Sequence, residues 1–170
     1  MNRSWIAGLL FIAASAPAFA AYTPLYAGLL ADNISGSVLL GYQIDKMYAV
    51  EAHYKKSDTH IAHSGVTSDT NISAAGLTAL AMFPMKLSGG SPYFLFAKAG
   101  FERLTKEESY TIPSSVTLTL PYSDTVKSIE SRAILGIGAQ YDFYQNVNGR
   151  AGIDIAGPYR SIYLGAIFRF

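Results

Sequence analysis

The feature that most constrains this chain is an alternation of apolar and polar side chains over segments of about ten residues. In residues 47–56, one parity is apolar and the other carries the ionisable groups Glu51, His53 and Lys55. Successive side chains of a strand point to opposite faces, so each such segment has an apolar face and a polar one. Residues 93–103, 129–141, 148–156 and 161–170 repeat the pattern. Residues 25–31, 37–43 and 72–83 resemble strands in composition, but their facing stays open.

Eight such segments predict a sheet that spans a membrane. After residue 20, no apolar run reaches the eighteen or so residues that a membrane helix needs. Only 15% of the 170 residues are charged, yet the chain has 12 Tyr and 9 Phe. A spanning sheet must close on itself, because lipid offers no partners for open backbone groups. The predicted fold class is therefore all-β, an eight-stranded antiparallel transmembrane β-barrel with up-and-down topology.

The first twenty residues predict a cleaved signal peptide. Arg3 precedes an apolar stretch from Trp5 to Ala14, and residues 18–20 form an A-x-A cleavage site. The alternative is an uncleaved anchor helix, which Pro17 and Pro24 would interrupt. The predicted domains are a signal peptide, 1–20, and a barrel domain, 21–170. The balance of 13 basic against 12 acidic residues gives no indication of nucleic-acid binding. The absence of cysteine gives no indication of a metal or another cofactor.

The polar parities predict a network of charges inside the barrel. Buried charges must pair or be hydrated, so a structural plug of ion pairs is expected, with a narrow ion pore as the alternative. The predicted lumen network comprises Glu51, His53, Lys55, Lys98, Glu102, Glu130, Arg132, Arg150, Asp154 and Arg169.

Aromatic residues cluster at one end of the predicted strands. Amphipathic rings favour the membrane interface, so these rings predict a girdle on the side of the chain termini and of the short turns. The opposite side carries the long connections Ser57–Thr70 and Leu104–Ser128. The predicted girdle comprises Tyr42, Tyr48, Phe83, Tyr93, Tyr141, Phe143, Phe168 and Phe170.

The last strand resembles the C-terminal signal of bacterial outer-membrane barrels, in which apolar residues at every second position end on Phe. Here those residues are Ile162, Leu164, Ala166, Phe168 and Phe170. Together with residues 134–143, ILGIGAQYDF, they make residues 21–170 similar to the porin-like barrels related to the transmembrane domain of outer membrane protein A. The resemblance implies an integral protein of a Gram-negative outer membrane with periplasmic termini. It also implies contact with membrane lipid, lipopolysaccharide, the barrel assembly machinery and periplasmic chaperones.

The function expected on these grounds is non-enzymatic: a barrel that presents surface loops, with a role in envelope integrity, adhesion or ligand binding. One alternative is a lipid-modifying enzyme built on Asp58, His60, His63 and Ser64 of the second outer loop. Another is a soluble periplasmic lipid-binding barrel, in which the apolar face would point inward. Parity alone does not distinguish inside from outside.

The third outer loop predicts a protruding hairpin, because two β-prone arms flank Pro113-Ser114-Ser115. An exposed strand edge there could recruit a strand of an extracellular protein. The candidate contact residues are Tyr110, Ile112, Val116, Leu118 and Tyr122.

Overall fold

A computed structural model describes residues 24–33, 35–63, 66–85, 93–112 and 122–170. The predicted signal peptide, together with Ser64, Val116 and Leu118, lies outside these ranges. The main chain of Ile112 and Tyr122 is described, but their side chains are not.

The described chain forms eight antiparallel strands in a closed barrel, each paired with its neighbours in sequence and with β8 paired to β1. This confirms the predicted fold class. No helix within the described ranges is long and apolar enough to cross a membrane. The strands are β1 (Leu25–Asp32), β2 (Gly36–Gln43), β3 (Tyr48–His63), β4 (Val66–Met85), β5 (Tyr93–Ile112), β6 (Tyr122–Tyr144), β7 (Val147–Ala156) and β8 (Tyr159–Arg169).

Both chain ends of the barrel lie at the same end, which we call the terminal end. There the start of β1 pairs with the end of β8, from Tyr26 opposite Arg169 onward. Tight turns join β2 to β3 and β6 to β7. At the opposite end Gly157 adopts a φ of 60°, a left-handed conformation that suits the short β7–β8 turn.

Four strands continue well beyond the other four. The last pair between β2 and β3 is Gly36 with Lys56, and the last pair between β6 and β7 is Ile134 with Ala156. Beyond those rows, β3 to β6 pair only with one another, as far as Ile112 opposite Tyr122. We call this four-stranded sheet, residues 57–63, 66–72, 106–112 and 122–128, the extension.

The extension corrects the expectation of two long loops. Ser57–Thr70 and Leu104–Ser128 were expected to be connections, but most of their described residues are strand. Their alternation is weak because both faces of the sheet are polar, so periodicity gives no signal. Outside the barrel β5 pairs with β6 as far as Ile112 opposite Tyr122, whereas the predicted turn Pro113-Ser114-Ser115 and the second predicted arm, 116–120, lie outside the described ranges.

The interior of the barrel has a buried apolar cluster toward the terminal end, which surrounds the charged pair of Glu51 and Arg150, and further charged groups toward the extension. Strands β1, β2 and β4, whose facing the sequence left open, supply much of the apolar part. The buried cluster there comprises Tyr26, Leu39, Ala49, Leu80, Met82, Phe96, Tyr163 and Ile167.

Candidate functional site

One of the most deeply buried charged groups in the lumen is Arg150 on β7, which is 2% exposed. Its Nη1 donates to Glu51 Oε1 at 2.5 Å, and its Nη2 donates to Gln140 Oε1 at 2.9 Å. The hydroxyl of Tyr26 donates to the same Glu51 oxygen at 2.7 Å. These residues stand on β1, β3, β6 and β7, so their bonds cross the barrel. We call them the Arg150 cluster.

The Arg150 guanidinium also lies over aromatic rings. Its Cζ is 5.1 Å from the centre of the Phe96 ring and 5.9 Å from that of Tyr26. Such contacts are favourable for a desolvated cation. They explain why β5 carries Phe96 at an inward position, which in the sequence is an apolar exception to the polar parity.

Two further carboxylates organise the half of the lumen nearer the extension. Glu102 accepts hydrogen bonds at 2.6 Å from Arg132 Nε, and its other oxygen lies 3.3 Å from His53 Nε2. Asp154 lies 2.9 Å from the Nζ of Lys98 and 3.5 Å from that of Lys55. Opposite charges from different strands thus meet in separate groups, which lowers the cost of burying them.

The structure therefore brings together eight of the ten residues of the predicted lumen network. Arg169 is half-buried at the terminal end, where it lines a small pocket with Tyr26, Gln140 and Arg150. Glu130 is a correction: it is exposed, because it stands beyond the last β6–β7 pair, where the inward face of β6 opens to solvent.

Sequence reasoning did not assign Tyr26, Gln140 or Tyr163 to the network. Tyr26 and Gln140 bond within the Arg150 cluster, and the Lys98 ammonium lies 4.7 Å from the centre of the Tyr163 ring. Alternation along β6 and β8 places Gln140 and Tyr163 on the inward face, so the sequence could have predicted them. Tyr26 carried none, because both parities of β1 are apolar. Gly41 faces Tyr26, and a Cβ at that position would overlap the Tyr26 ring.

The predicted girdle residues all lie at the terminal ends of their strands. Tyr93 stands opposite Tyr141, whose ring meets that of Phe143 edge-on with centroids 5.0 Å apart. Phe168 stands opposite Val147. Six of the eight residues are exposed on the outer wall, and Tyr93 and Phe168 are half-buried.

The outer wall is apolar over the whole barrel. Every second residue of β8 from Ile162 to Phe170 faces it, so the five residues of the predicted C-terminal signal share this face. Ile162 and Leu164 are 67% and 68% exposed. Ionisable groups lie inside and apolar groups outside, which is the reverse of the arrangement expected for a soluble lipid-binding barrel.

The extension carries a chain of polar contacts on β5. Glu108 is in contact with the Lys106 ammonium and accepts a hydrogen bond of 2.7 Å from the Tyr110 hydroxyl. The Lys106 contact, and then the Tyr110 bond, hold the pKa of Glu108 below its usual range. The Tyr110 hydroxyl is occupied by this bond, although its ring remains exposed.

The His60 ring on β3 pairs with Asp69 on β4, and both groups are exposed. This contact provides a base and an orienting acid, but Ser64, the proposed nucleophile, lies outside the described ranges. Within those ranges, no group of three or more His, Asp or Glu residues is placed to hold a metal ion.

A closed antiparallel barrel with an apolar wall and a charged interior is the architecture of an integral outer-membrane β-barrel. The structure is similar to the N-terminal β-barrel domain of Pseudomonas aeruginosa OprF, with a TM-score of 0.57 and 16% identity over 86% of this chain and 96% of that one. It is also similar to Ail, the attachment invasion locus protein of Yersinia pestis, with a TM-score of 0.51 and 11% identity over 86% of this chain and 94% of that one.

A second Ail structure, in complex with the heparin analogue sucrose octasulfate, gives a TM-score of 0.52 and 12% identity with the same coverage. At these identities the likeness shows the fold alone. Neither a protein-family model nor a curated protein matches the sequence.

Proposed function

We propose that the protein is a non-enzymatic barrel of a Gram-negative outer membrane that holds an acidic β-sheet above the cell surface. The observation that supports this proposal is the combination of two features: ion pairs close the lumen, and a four-stranded extension continues from one end of the barrel only. The barrel serves as an anchor that contributes to envelope integrity, and the extension binds an external protein.

The orientation follows from the two ends of the barrel. The terminal end, with short turns and aromatic rings, faces the periplasm, and the extension faces outward. In this arrangement the outward-facing residues of the last strand form the signal that the assembly machinery and periplasmic chaperones would bind during biogenesis. Membrane lipid and lipopolysaccharide contact the apolar wall.

The packing of the lumen supports an anchor over an ion pore. Glu51 on β3 bonds Arg150 on β7, two strands on opposite sides of an eight-stranded barrel. Phe96, Met82 and Ile167 fill the space around them, each no more than 3% exposed. An ion would have to break the pair and displace these side chains in order to pass.

The charge of the extension selects the kind of partner. Its residues include five carboxylates against two lysines, namely Asp58, Asp69, Glu107, Glu108 and Asp124 against Lys106 and Lys127. A polyanion such as the heparin analogue bound by Ail would be repelled. We therefore favour a cationic segment of an extracellular protein.

The edge of the extension offers a mode of binding. From Tyr122 to Ala133, β6 pairs with β5 on one side and, within the described ranges, with no strand on the other. An extended segment can add to such an edge through main-chain hydrogen bonds, and lysines on it would complement the acidic sheet.

The test compares binding of a lysine-rich extended peptide and of a sulfated disaccharide to the purified barrel in detergent micelles. One variant replaces residues 107–127 with Asn-Gly, which closes the hairpin at the Lys106–Ser128 pair. A second variant, Glu107→Gln with Asp124→Asn, keeps the sheet and removes two charges.

We expect both variants to keep a heat-sensitive electrophoretic shift, to bind the peptide at least about tenfold more weakly, and to bind no sulfated sugar. The matched control is Asp45→Asn, a carboxylate in the β2–β3 turn at the terminal end. Preference of the wild-type barrel for the sulfated sugar, or undiminished peptide binding after the deletion, would contradict the proposed role of the extension.

A further inference from the structure

A small cavity opens into the lumen at the extension end of the barrel. Its described lining includes Lys55 on β3, Arg132 on β6 and Asp154 on β7, and we call it the mouth cavity. Its volume of about 70 Å³ leaves room for about five water molecules. Toward the terminal end, the buried Ile134 and the Arg150 cluster fill the lumen. A small solute can therefore enter this cavity without passing through the barrel.

The ionic groups at the base of the mouth cavity do not balance. Three cations face two carboxylates there, namely Lys55, Lys98 and Arg132 against Glu102 and Asp154. His53, which also contacts Glu102, can only add positive charge. Counting the described lining of the whole cavity and the ion-pair partners of those residues, six cations stand against five carboxylates. The cavity therefore keeps an excess of positive charge that a small anion would offset.

The lining also has one hydrogen-bond donor and one acceptor without a partner. Arg132 directs Nε and Nη2 to the same Glu102 oxygen at 2.6 Å, while its buried Nη1 bonds no described residue. Asp154 directs Oδ2 to Lys55 and Lys98, while its buried Oδ1 likewise has no described partner. Unsatisfied polar atoms are costly in the interior. A molecule that satisfies both atoms must accept one hydrogen bond and donate another.

The chemistry of small anions then selects among ligands. Chloride, sulfate and ionised carboxylates can accept a hydrogen bond but have no proton to donate, and water has no charge. Hydrogen phosphate is negatively charged and keeps an O–H, so it can accept from a guanidinium and donate to a carboxylate. The Arg132 guanidinium lies over the Tyr159 ring, 4.6 Å from its centre, which holds its plane at the cavity wall.

We propose that the mouth cavity binds hydrogen phosphate, free or as the head of a small solute. Arg132 Nη1 and the Lys55 ammonium donate to its oxygens, and Asp154 Oδ1 accepts from its O–H. Membrane lipid contacts the outer wall, on the other side of the strands from this cavity, so the source of the phosphate is a solute and not a lipid headgroup. The site is separate from the β6 edge and goes beyond the proposed function.

The experiment titrates inorganic phosphate into the full barrel in dodecyl maltoside micelles, which contain no phosphate, and measures binding by calorimetry. Sulfate and the zwitterion glycine are titrated in the same way. We expect the wild-type barrel to bind phosphate at least about tenfold more tightly than either. Addition of lipid A to the micelles should leave the phosphate affinity unchanged.

Two variants test the contacts. Lys55→Gln removes the excess charge and should weaken phosphate binding about tenfold. Asp154→Asn replaces the acceptor by an amide that can donate, so it should abolish the preference for phosphate over sulfate. The matched control is Lys46→Gln, which removes an exposed cation from the β2–β3 turn and should leave the affinity unchanged.

The proposal would be overturned if a wild-type barrel with a normal heat-sensitive electrophoretic shift bound no phosphate, since water alone would then satisfy the two atoms. Equal affinities for phosphate and sulfate, or displacement of phosphate by lipid A, would also overturn it. These outcomes need only the wild-type barrel, so they decide the question even if Asp154→Asn does not fold. Loss of peptide binding to the extension would contradict the proposed function without affecting this site.

Discussion

At the scale of single residues, the lumen is organised by cations that each satisfy a carboxylate on another strand. Arg150 is the extreme case, since its guanidinium bonds Glu51 and Gln140 and lies over the Phe96 ring. Removal of one partner of a buried pair leaves a charge that the surrounding apolar cluster cannot solvate.

We predict that Arg150→Met lowers the free energy of unfolding by about 3–5 kcal/mol, because Glu51 remains buried and loses its cation. The double variant Arg150→Met with Glu51→Gln should recover part of the loss. Arg132→Leu should cost less, since Glu102 keeps His53 and lies nearer the open end. Urea unfolding of the reconstituted barrel measures all three, and an unchanged midpoint for Arg150→Met would argue against a structural plug.

Glycine within the strands also has a packing role. We predict that Gly41→Ala destabilises the barrel by about 1–3 kcal/mol, because its Cβ would overlap the Tyr26 ring and displace the hydroxyl that bonds Glu51. Gly36→Ala on the same strand is the control, as nothing lies within 4 Å of its Cβ position. The same urea measurement applies, and equal effects of the two substitutions would contradict this packing.

At the scale of the elements, the extension depends on contacts within the sheet itself. On β5 the Glu108 carboxylate joins Lys106 and Tyr110 in one row of side chains. The pKa of Glu108 is depressed, so its stabilising effect is complete above the pKa of an unfolded glutamate. The effect is lost as the pH falls through the lower, folded value.

We predict that Lys106→Gln raises the titration midpoint of Glu108 more than Tyr110→Phe does, because the Lys106 contact is the larger cause of the depressed pKa. Carbon-13 NMR of the side-chain carboxyl in micelles gives this midpoint directly. A larger effect from Tyr110→Phe would reverse the assigned order of the two contacts.

The sequence predicted the elements of the barrel better than those of the extension. Alternation located β3, β5, β6, β7 and β8, because lipid on one side and packed charges on the other impose opposite requirements on successive residues, whereas β1, β2 and β4 were located by composition alone. The same rule explains its failures. Around Thr105 and Val126 both faces of the sheet meet water, so the sequence does not alternate there and predicts a loop where the structure has a strand. Along β1, Tyr26 and Leu29 are both apolar although one faces the lumen and the other the wall.

The candidate site was predictable in its members but not in its pairings. Parity placed Glu51, Lys98 and Arg150 on the inward face, and the structure finds them there. Which cation meets which carboxylate depends on the stagger of the strands around the closed barrel, which no local pattern encodes. Glu130 shows the limit, since inward parity holds at its position while the lumen has already ended.

At the scale of the whole molecule, charge is separated into three zones: a sealed interior of ion pairs, a largely apolar wall, and an acidic extension at one end of the barrel. This separation is what a membrane requires of a barrel, because depth in the bilayer sets the cost of each charge on the wall. A soluble barrel would impose no such dependence on depth.

Depth can therefore be measured along one strand face. Ala99 and Thr105 both lie on the outward face of β5, Ala99 opposite Ala79 and Leu135 in the middle of the wall and Thr105 beyond Arg103. We predict that Ala99→Arg lowers the free energy of unfolding in phosphatidylcholine vesicles by about 2–4 kcal/mol, whereas Thr105→Arg costs about 0–1 kcal/mol. Reversible urea titrations followed by tryptophan-free tyrosine fluorescence of the chain 21–170 would give both values. Equal costs at the two positions would mean that the wall does not sit in lipid as its apolar face requires.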